Sequence, residues 1–407
     1  MPRPTAKMRS RLRHGAGRLV RRLGLVPAGQ PDGRGEDATH EGSRFVETVL
    51  AIYPDDPTNL YQLRLWLPAL ERLNLTLPTA IVVQDSRVAA ALRRETALTV
   101  YVLARYATFE AMADRGQADL ALYPAHHTRN FQIMRRADLA HVYLGHGESD
   151  KAVSASNQLK AYDFSFASGQ SAVDRAAVLP FYDAAQRMII IGRPQLDELE
   201  RGLRPGDDRT TVLYAPTWEG DQASMRYGSL VDLGPVAVAG LLAAGFRVIF
   251  RPHPRTGLSD PGYAAADRAV RHLVHAAAEA APGLGHRVST SGDVINDFNR
   301  ADLLLCDVSS LVVDWLPTGR PLVVTKMPST VEEDSPALSS IPRLRLEDDP
   351  MAVVNHVLDE GVDAEERAQL VSYYLGGDSS LTLAEACAEV ISRHSRARSQ
   401  ASGHRDR

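Results

Sequence analysis

Short apolar stretches alternate with longer amphipathic stretches along most of this chain. In the first half, apolar runs typical of strands occur at 46–53, 79–83, 98–103, 119–123, 139–144, 163–167 and 188–191. The residues between these runs have the apolar spacing of helices. The alternation indicates βα units that build a mostly parallel sheet.

The same rhythm begins again after a polar stretch. Residues 195–209 contain Gly202, Pro205 and Gly206 and predict a hinge between domains. Beyond it we expect strands at 211–214, 246–250, 302–306 and 321–325, and helices that include 236–244 and 312–316. The sequence therefore predicts two βα domains in tandem with a cleft between them.

Four parts of the chain follow from this pattern. Residues 1–43 form a basic segment and a linker rich in Gly, Pro and Asp. The two predicted domains occupy 44–195 and 196–392. The Arg/Ser-rich residues 393–407 are predicted to be a disordered tail, because their composition offers little apolar surface to bury.

Composition supports a globular protein and excludes several other classes. Hydrophobic residues make up 44% and charged residues 24% of the 407 residues, which is typical of folded domains. Cys306 and Cys387 are far apart in the sequence and have no CxxC spacing. We therefore expect two buried thiols in a reducing compartment, and neither a disulfide framework nor a thiolate zinc site.

Positive charge is concentrated at the amino terminus. Residues 1–26 contain no acidic residue and include the basic residues Arg3, Lys7, Arg9, Arg11, Arg13, Arg18, Arg21 and Arg22. The rest of the chain has 38 basic and 50 acidic residues, a net charge of −12. Apolar residues recur in this segment with helical spacing at Met8, Leu12, Leu19, Leu23 and Val26. Two hypotheses fit: an interfacial helix attracted to anionic lipid, and a solvated, disordered basic tail.

The sequence predicts no export signal and no membrane span. Pro27 and Gly29 follow the basic residues where a signal peptide would have its apolar core. No window approaches the roughly 20 apolar residues of a spanning helix. We therefore expect a cytoplasmic protein that is peripheral on the inner face of the cell membrane.

Missing motifs narrow the chemistry. The chain has no G-x-x-x-x-G-K-[ST] loop, no H-E-x-x-H and no D-x-D. Hydrolysis of a nucleoside triphosphate by a P-loop is therefore not expected. Without D-x-D, the chain also has no closely spaced pair of carboxylates of the kind that holds a divalent metal on the diphosphate of a donor. His126 and His127 follow a predicted strand, and adjacent histidines of this kind are more often surface or core residues than ligands.

Two histidine segments follow predicted strands, at the rim where α/β sheets bind ligands. Glycines flank His146 in 145–151, and an imidazole suits proton removal from a hydroxyl near neutral pH. Two prolines fix the backbone around His253 in 251–254, beside a cation. Gly-His-Gly also occurs in plain turns, and the second segment also fits a stiff structural turn.

Two further segments have the same placement. Residues 214–221, YAPTWEGD, are a strand that ends in a loop. In 306–315, Ser309 or Ser310 is predicted to cap a helix whose first amide groups favour an anion such as a diphosphate. As a cap alone, this serine pair is an ordinary structural feature.

The four segments together are far more specific than any one of them. HGESDK, LYAPTWEGD, RPHPRTG and CDVSSLVVDWLPTGRPLVV occur in this order and resemble the CDP-glycerol glycerophosphotransferase family, which builds teichoic acids and related envelope polymers. The resemblance covers roughly residues 120–390. It includes IGRPQLD and the final YLGGDSSLTLAEACAEVI.

The resemblance implies an α/β fold of the GT-B type, in which two Rossmann-like domains face each other across a cleft and the second holds the donor. It implies CDP-glycerol as the donor substrate, no metal or other cofactor, and no nucleic-acid partner. A membrane- or lipid-linked acceptor and an anionic membrane surface are the other implied partners. Oligomeric state is left open.

Site residues also follow from the resemblance. His146 is the implied base and His253 a phosphate-stabilising residue. The implied donor-binding residues are Thr217, Arg251, Asp307, Ser309, Ser310 and Asp314. Glu148 and Lys151 fall on the acceptor side.

One departure from the family pattern affects the substrate. The family commonly has Thr-Pro-Leu between His-Gly and Lys, where this chain has Glu148, Ser149 and Asp150. The acceptor is therefore open, as is the choice between glycerol, ribitol and another polyol. Two other functions also stay open: a GT-B glycosyltransferase with a nucleotide-sugar donor, and a non-catalytic protein that binds a nucleotide or polymer.

Overall fold

The computed structural model describes residues 32–145, 156–204, 209–220, 227–289, 294–327, 336–377 and 380–405. These residues divide into two compact units. The first contains 32–145, 158–165 and 383–405, and the second contains the other described residues between 156 and 382. The basic segment 1–26, with its predicted helix, lies outside the described residues.

The first sheet is built from seven short strands. They are β1 (Val49–Tyr53), β2 (Thr79–Val83), β3 (Thr99–Val102), β4 (Leu120–Tyr123), β5 (Ala140–Tyr143), β6 (Phe164–Ala167) and β7 (Met188–Ile190). Their order is β3-β2-β1-β4-β5-β6-β7, and the pairs from β3 to β6 are parallel. All residues of β1 and β2 are buried, because helices cover both faces of a parallel sheet.

The helices of this region are short. They are α1 (Tyr61–Arg64), α2 (Leu67–Asn74), α3 (Ser86–Leu92), α4 (Tyr106–Asp114), α5 (Asn130–Ile133), α6 (Gln170–Ala177) and α7 (Ala184–Arg187). Single 3-10 turns occur at Glu36–His40, Pro57–Asn59, Asn157–Ala161 and Pro194–Leu196. Asp85 shows how the sequence sets a helix start, since its carboxylate accepts a hydrogen bond from the Arg87 amide at the beginning of α3.

The second sheet has six strands. They are β8 (Thr211–Ala215), β9 (Arg247–Phe250), β10 (Arg287–Val288), β11 (Leu303–Cys306), β12 (Leu322–Lys326) and β13 (Arg343–Arg345). Their order is β10-β9-β8-β11-β12-β13, and every pair is parallel. The core on one side of this sheet includes Tyr214, Leu241, Val270 and Leu305, all of which are buried.

Eight helices are described after β8. They are α8 (Gly234–Ala243), α9 (Pro261–Ala280), α10 (Val294–Arg300), α11 (Ser310–Trp315), α12 (Pro336–Ser340), α13 (Pro350–Glu360), α14 (Ala364–Leu375) and α15 (Leu383–Arg405). Single 3-10 turns occur at Pro282–Leu284 and Leu316–Thr318. No helix in the described part of the chain is long and apolar enough to cross a bilayer.

The strand orders locate where each sheet can bind a ligand. In both sheets the chain first builds three strands to one side and then crosses back to build the others on the opposite side. A crevice opens at the carboxyl ends of the two strands where this reversal occurs. These strands are β1 and β4 in the first sheet and β8 and β11 in the second.

Every strand predicted from the sequence is present, and the α/β class is confirmed. Two strands were not predicted. The strand β10 has only two residues, Arg287 and Val288, and β13 is Arg-Leu-Arg. Both are the outermost strands of the second sheet, where half of the backbone is unpaired and little apolar burial is needed.

The prediction of a disordered tail at 393–407 is wrong for residues 393–405, which continue α15. Arg393 forms an ion pair with Glu389 one turn earlier, and Arg398 donates to the carbonyl of Asp138 at 3.1 Å. These contacts depend on the tertiary fold, which composition does not reveal. The helix α15 contacts α2 and β5 and groups with the first unit, whereas the sequence assigned residues up to 392 to the second domain.

The predicted hinge at 195–209 is bound to the second unit over much of its described length. The Glu200 amide donates to Asn299 at 2.9 Å, and the Gly202 amide donates to the Thr318 carbonyl at 2.8 Å. The fully buried guanidinium of Arg320 donates to the carbonyls of Gly202 and Glu200 in the same stretch. Its polar composition therefore reflects backbone hydrogen bonding rather than an unattached linker.

Candidate functional site

Three of the four sequence segments meet at one edge of the second sheet. The strands β9, β8 and β11 are neighbours, and all run in the same direction. Their carboxyl ends lead into His253, Thr217 and Asp307, respectively. Because β8 and β11 flank the point where the strand order reverses, these residues lie where a doubly wound sheet binds ligands.

Asp307 joins three segments at this edge. Its Oδ2 accepts hydrogen bonds from the amides of Thr217 at 2.7 Å and Ser229 at 3.1 Å. Its Oδ1 accepts from the Thr325 hydroxyl at 2.5 Å. The side chain is fully buried, and burial raises the pKa of the Asp307 carboxyl above its ordinary value although the hydrogen bonds act to lower it. Asp307 therefore holds the loop after β8, Ser229 and β12 together at this edge of the sheet.

Glu219 connects the loop after β8 to the loop after β9. Its Oε2 accepts from the Gly257 amide at 2.9 Å, and its Oε1 accepts from the Ser259 amide and hydroxyl at 2.9 and 3.0 Å and from the Asp260 amide at 3.2 Å. Burial would raise its pKa, but the hydrogen bonds from Ser259 and Gly257 outweigh burial and hold the pKa of Glu219 below its usual range. A carboxylate clamp thus fixes the two loops to each other.

Gly257 fits this clamp for a steric reason. Its φ is +73°, a conformation that favours glycine. A Cβ at this position would also lie 2.7 Å from the Cα of Ala264 in α9. The glycine of RPHPRTG therefore lets the backbone turn and present its amide to Glu219.

Trp218 supports the side chains of the RPHPRTG loop. The guanidinium of Arg255 lies over its indole ring at 3.8 Å from the centroid, a cation–π contact. The His253 ring stacks beside the same indole, with the centroids 6.1 Å apart and the planes at 26°. These contacts and the Glu219 clamp hold His253 in a defined place.

The hydrogen-bond pattern assigns the tautomer of His253. Its Nδ1 accepts from the Arg255 amide at 3.1 Å, so a neutral ring carries its proton on Nε2. In this state Nε2 is a donor. His253 is therefore suited to hydrogen bonding with a phosphate oxygen and unsuited to accepting a proton from a hydroxyl.

Arg251 and Asp314, two of the predicted donor-binding residues, are engaged in buried ion pairs. Arg251 Nη1 lies 2.6 Å from Asp297 Oδ2, and Arg287 binds the other oxygen of Asp297 at 2.5 Å. Asp314 pairs with Arg193 at 2.8 Å, and both side chains are almost completely buried. Their roles in donor binding stay predictions, while their observed role is to fix the loop after β9 and the helix α11.

Ser309 is the N-cap residue of α11, as predicted, but its hydroxyl makes no capping hydrogen bond. Among the described residues, the Ser309 Oγ is buried without any hydrogen-bond partner. The helix has only six residues from Ser310 to Trp315, so few peptide dipoles add up at its start. Any anion contact here therefore depends on the two serine hydroxyls more than on the helix end.

Three predicted residues, His146, Glu148 and Lys151, lie outside the described residues. The structure describes the chain up to Gly145, which has a φ of +68° and whose carbonyl accepts a hydrogen bond from the indole of Trp66. Trp66 is buried in the first unit. The exit of β5 is thus anchored one residue before His146.

Three residues of this region were not predicted from the sequence: Glu219, Asp297 and Arg193. Glu219 and Arg193 lie inside the segments LYAPTWEGD and IGRPQLD, but the partners of each are far away in sequence. Asp297 lies outside every family segment, and its sequence neighbourhood gives no indication of its ion pairs. No group of three or more His, Cys, Asp or Glu side chains in the described ranges is arranged to hold a metal ion.

The Asp307 interactions generate a prediction about stability. In Asp307→Asn, the amide oxygen can accept from Thr217 and Ser229 while the NH2 donates to the Thr325 hydroxyl, so we expect a free energy of unfolding within about 1 kcal/mol of the wild type at pH 7. Asp307→Ala leaves two backbone N–H groups unpaired, at about 1–3 kcal/mol each. Urea unfolding measures both variants, and equal losses in the two would contradict the hydrogen-bonding scheme.

The raised pKa of Asp307 also predicts the pH dependence. A carboxyl whose folded pKa lies above its unfolded value of about 3.9 contributes stability below that value and loses this contribution as pH rises through the folded pKa. The stability of Asp307→Asn relative to wild type should therefore increase with pH across that window. A relative stability that is constant with pH would contradict this.

Comparison with known families gives a match over the middle of the chain. Residues 143–328 match the family described as CDP-Glycerol:Poly(glycerophosphate) glycerophosphotransferase. This range contains all four segments that suggested the family from the sequence. No curated protein sequence matches the chain.

Comparison with solved structures supports the architecture. The wall teichoic acid polymerase TagF has a TM-score of 0.53 at 12% identity, with 97% of this chain and 98% of that chain covered. A TagF variant soaked with CDPG for 15 minutes gives 0.54 at 12% identity and the same coverage. The UDP-GlcNAc 2-epimerase from Neisseria meningitidis, bound to UDP-GlcNAc, gives 0.52 at 11% identity, covering 85% and 99%.

At such low identity these similarities show the fold alone, and the predicted GT-B class is confirmed. The resemblance to the CDP-glycerol glycerophosphotransferase family is confirmed over residues 143–328, slightly less than half of the chain. The match supports a transferase, as the four segments predicted.

Proposed function

We propose that the protein transfers glycerol phosphate, or a similar polyol phosphate, from a CDP-linked donor to a hydroxyl of a membrane-linked envelope polymer or lipid-linked acceptor, and releases CMP. The observation that carries this proposal is the placement of three family segments at the carboxyl ends of β9, β8 and β11. The similar TagF variant was soaked with CDPG, which supports a CDP-linked donor here.

Donor binding is assigned to the edge of the second sheet. His253, with its proton on Nε2, donates to a phosphate oxygen of the donor. Ser309 and Ser310 supply hydroxyl contacts to the diphosphate, and the buried Ser309 hydroxyl has no partner among the described residues. The backbone N–H of Thr217 donates a hydrogen bond to the Asp307 carboxylate, which holds Thr217 at the same edge of the sheet. No metal or other cofactor is part of this proposal.

The proposed reaction is a substitution at phosphorus. The acceptor oxygen attacks the β-phosphorus of the donor, the bond from that phosphorus to the bridging oxygen breaks, and CMP leaves. His146 takes the proton of the acceptor hydroxyl, and Glu148 and Lys151 contact the acceptor. Positioning and charge stabilisation supply most of the rate acceleration, as in other phosphoryl transfers.

The amino-terminal segment is the proposed membrane contact. Eight basic residues without an acid among residues 1–26 would bind an anionic surface on the inner face of the cell membrane, the proposed location of the enzyme. This proposal rests on sequence charge and apolar spacing.

We predict that the purified protein releases CMP from CDP-glycerol in the presence of a membrane extract and forms a phosphodiester. The experiment compares CDP-glycerol, CDP-ribitol and UDP-glucose as donors and measures nucleotide release and product type. EDTA should leave the activity intact, because the anion contacts are assigned to side-chain donors. A glycoside product, donor binding without CMP release, or a complete EDTA loss restored by magnesium would each contradict the proposal.

Alanine substitutions of His146 and His253 should change the steady-state kinetic constants in different ways. His146→Ala should lower turnover by about 100-fold to 10,000-fold with the KM for CDP-glycerol nearly unchanged, since a base acts on the acceptor proton. His253→Ala should raise the donor KM as well as lower turnover, because a phosphate contact exists before the transition state. Steady-state kinetics with each substrate varied separates these outcomes, and near-full turnover in His146→Ala would refute the base assignment.

Deletion of residues 1–26 tests the membrane contact. The truncated protein should lose binding to vesicles that contain anionic lipid, because each basic residue near such a surface contributes about 1 kcal/mol. Salt should weaken binding of the full chain by screening, and turnover on a soluble acceptor should be retained. Salt-insensitive vesicle binding by the truncated chain would show that another part of the protein makes the contact.

A further inference from the structure

The first sheet has its own point of strand-order reversal, between β1 and β4. Asp55 follows β1 and His127 follows β4, and the His127 Nε2 lies 3.9 Å from an oxygen of Asp55. Their side chains are 19% and 24% exposed, so both are accessible to a ligand while held by the fold. A doubly wound sheet binds ligands at this position, and the family segments do not include these residues.

His127 is fixed as a hydrogen-bond donor. Its Nδ1 accepts from the Arg129 amide at 3.1 Å, so the neutral ring carries its proton on Nε2. Burial lowers the pKa of His127, although the Asp55 carboxylate acts to raise it, which favours the neutral ring near pH 7. With Nδ1 engaged, the Nε2–H of the neutral ring can only donate.

The same arrangement occurs in the second sheet. In His127-Thr128-Arg129 and in His253-Pro254-Arg255, the arginine amide donates to the histidine Nδ1 over the same 3.1 Å. Both turns follow a strand that lies beside the first strand of its sheet, β4 beside β1 and β9 beside β8. A plain surface turn would not require an arginine and a fixed imidazole in both places.

Arg129 is held with its guanidinium beside this histidine. Its Nη1 donates to the Pro54 carbonyl at 3.3 Å and to Gln84 Oε1 at 3.4 Å, and Gln84 follows β2 and is itself buried. Both of these hydrogen bonds use the same nitrogen. The Nε and Nη2 groups make no hydrogen bond to the described residues and are the donors left for a ligand.

Asp55 supplies an oriented acceptor. Its two oxygens accept from the Asp56 amide at 2.7 Å and from the Asn59 side chain at 2.9 Å. Each carboxylate oxygen can accept a further hydrogen bond, for which a ligand hydroxyl is a suitable donor. The neighbouring carboxylate of Asp56 adds negative charge, which disfavours a bare phosphate dianion and favours a monoanionic diester.

We propose that Asp55, His127 and Arg129 form a binding site for a polyol phosphodiester, in which His127 Nε2–H and Arg129 bind the phosphate and Asp55 binds a hydroxyl. This inference rests on the proposed function, because a glycerol phosphodiester is the chemistry of an acceptor chain that grows by glycerol phosphate units. It assigns acceptor binding to residues of the first sheet that are separate from the donor edge of the second.

Calorimetric titration of the full-length protein with glycerophosphoglycerol, a soluble diester of two glycerols, tests the site without turnover. We expect the Kd to rise at least about tenfold in His127→Ala and in Arg129→Ala, since each loses a hydrogen bond to a charged group. Arg135→Ala is the matched control, because Arg135 lies over the Tyr106 ring of the same unit and the variant loses the same charge. Inorganic phosphate should bind more weakly than the diester.

Kinetics provide the second readout. In the same variants the KM for the diester acceptor should rise while the KM for CDP-glycerol stays unchanged, the opposite of His253→Ala. Arg129→Lys is a control for folding, because the lysine ammonium can still donate to the Pro54 carbonyl. Thermal unfolding identifies any variant that does not fold. Equal diester affinity in wild type, His127→Ala and Arg129→Ala would overturn the proposal, as would no wild-type binding or tighter binding of inorganic phosphate.

The experiments distinguish failure of the proposed transferase reaction from failure of the proposed diester site. A wild-type protein that binds the diester through His127 and Arg129 but releases no CMP contradicts the transferase reaction and supports the site. A protein that releases CMP but binds the diester equally in all variants retains the reaction and loses this site.

Discussion

The buried carboxylate of Asp307 makes the hydrogen bonds on which the carboxyl-terminal edge of the second sheet depends. It is the first residue after β11 and accepts hydrogen bonds from the loop after β8, from Ser229 and from β12. These groups are brought together because β8, β11 and β12 are neighbours in one parallel sheet. The Glu219 clamp then attaches the loop after β9, so the positions of Thr217 and His253 are set by two carboxylates that need not contact a ligand themselves.

The tautomers of His127 in the first sheet and His253 in the second determine which hydrogen bonds these two rings can offer to a ligand. A backbone amide two residues ahead occupies the Nδ1 of both His127 and His253 and leaves Nε2–H as a donor. A neutral ring of this tautomer can donate a hydrogen bond to an anion through Nε2 and cannot accept a proton at Nε2. This geometry supports the proposed role of His253 as a hydrogen-bond donor to phosphate, and the proposed role of His146 as the base rests on the family pattern.

Most of the fold could be predicted from the sequence because buried parallel strands are continuous apolar runs, and β2 begins and ends where its run does. The short edge strand β13, Arg-Leu-Arg, has no such run, and the charged helix end at 393–405 depends on partners such as Asp138. The four family segments were recognisable because the residues of each are contiguous. Asp297 and Glu219 act through partners that are distant in sequence, so only the structure reveals them.

The carboxyl ends of β8, β9 and β11 are proposed to hold a CDP-linked donor, and the transferase reaction depends on this placement. A crystal structure of the protein with CDP-glycerol measures it directly. We expect the diphosphate within hydrogen-bonding distance of His253 Nε2 and of the hydroxyls of Ser309 or Ser310. A donor bound elsewhere, with these three side chains free of contact to its phosphates, would contradict the proposal.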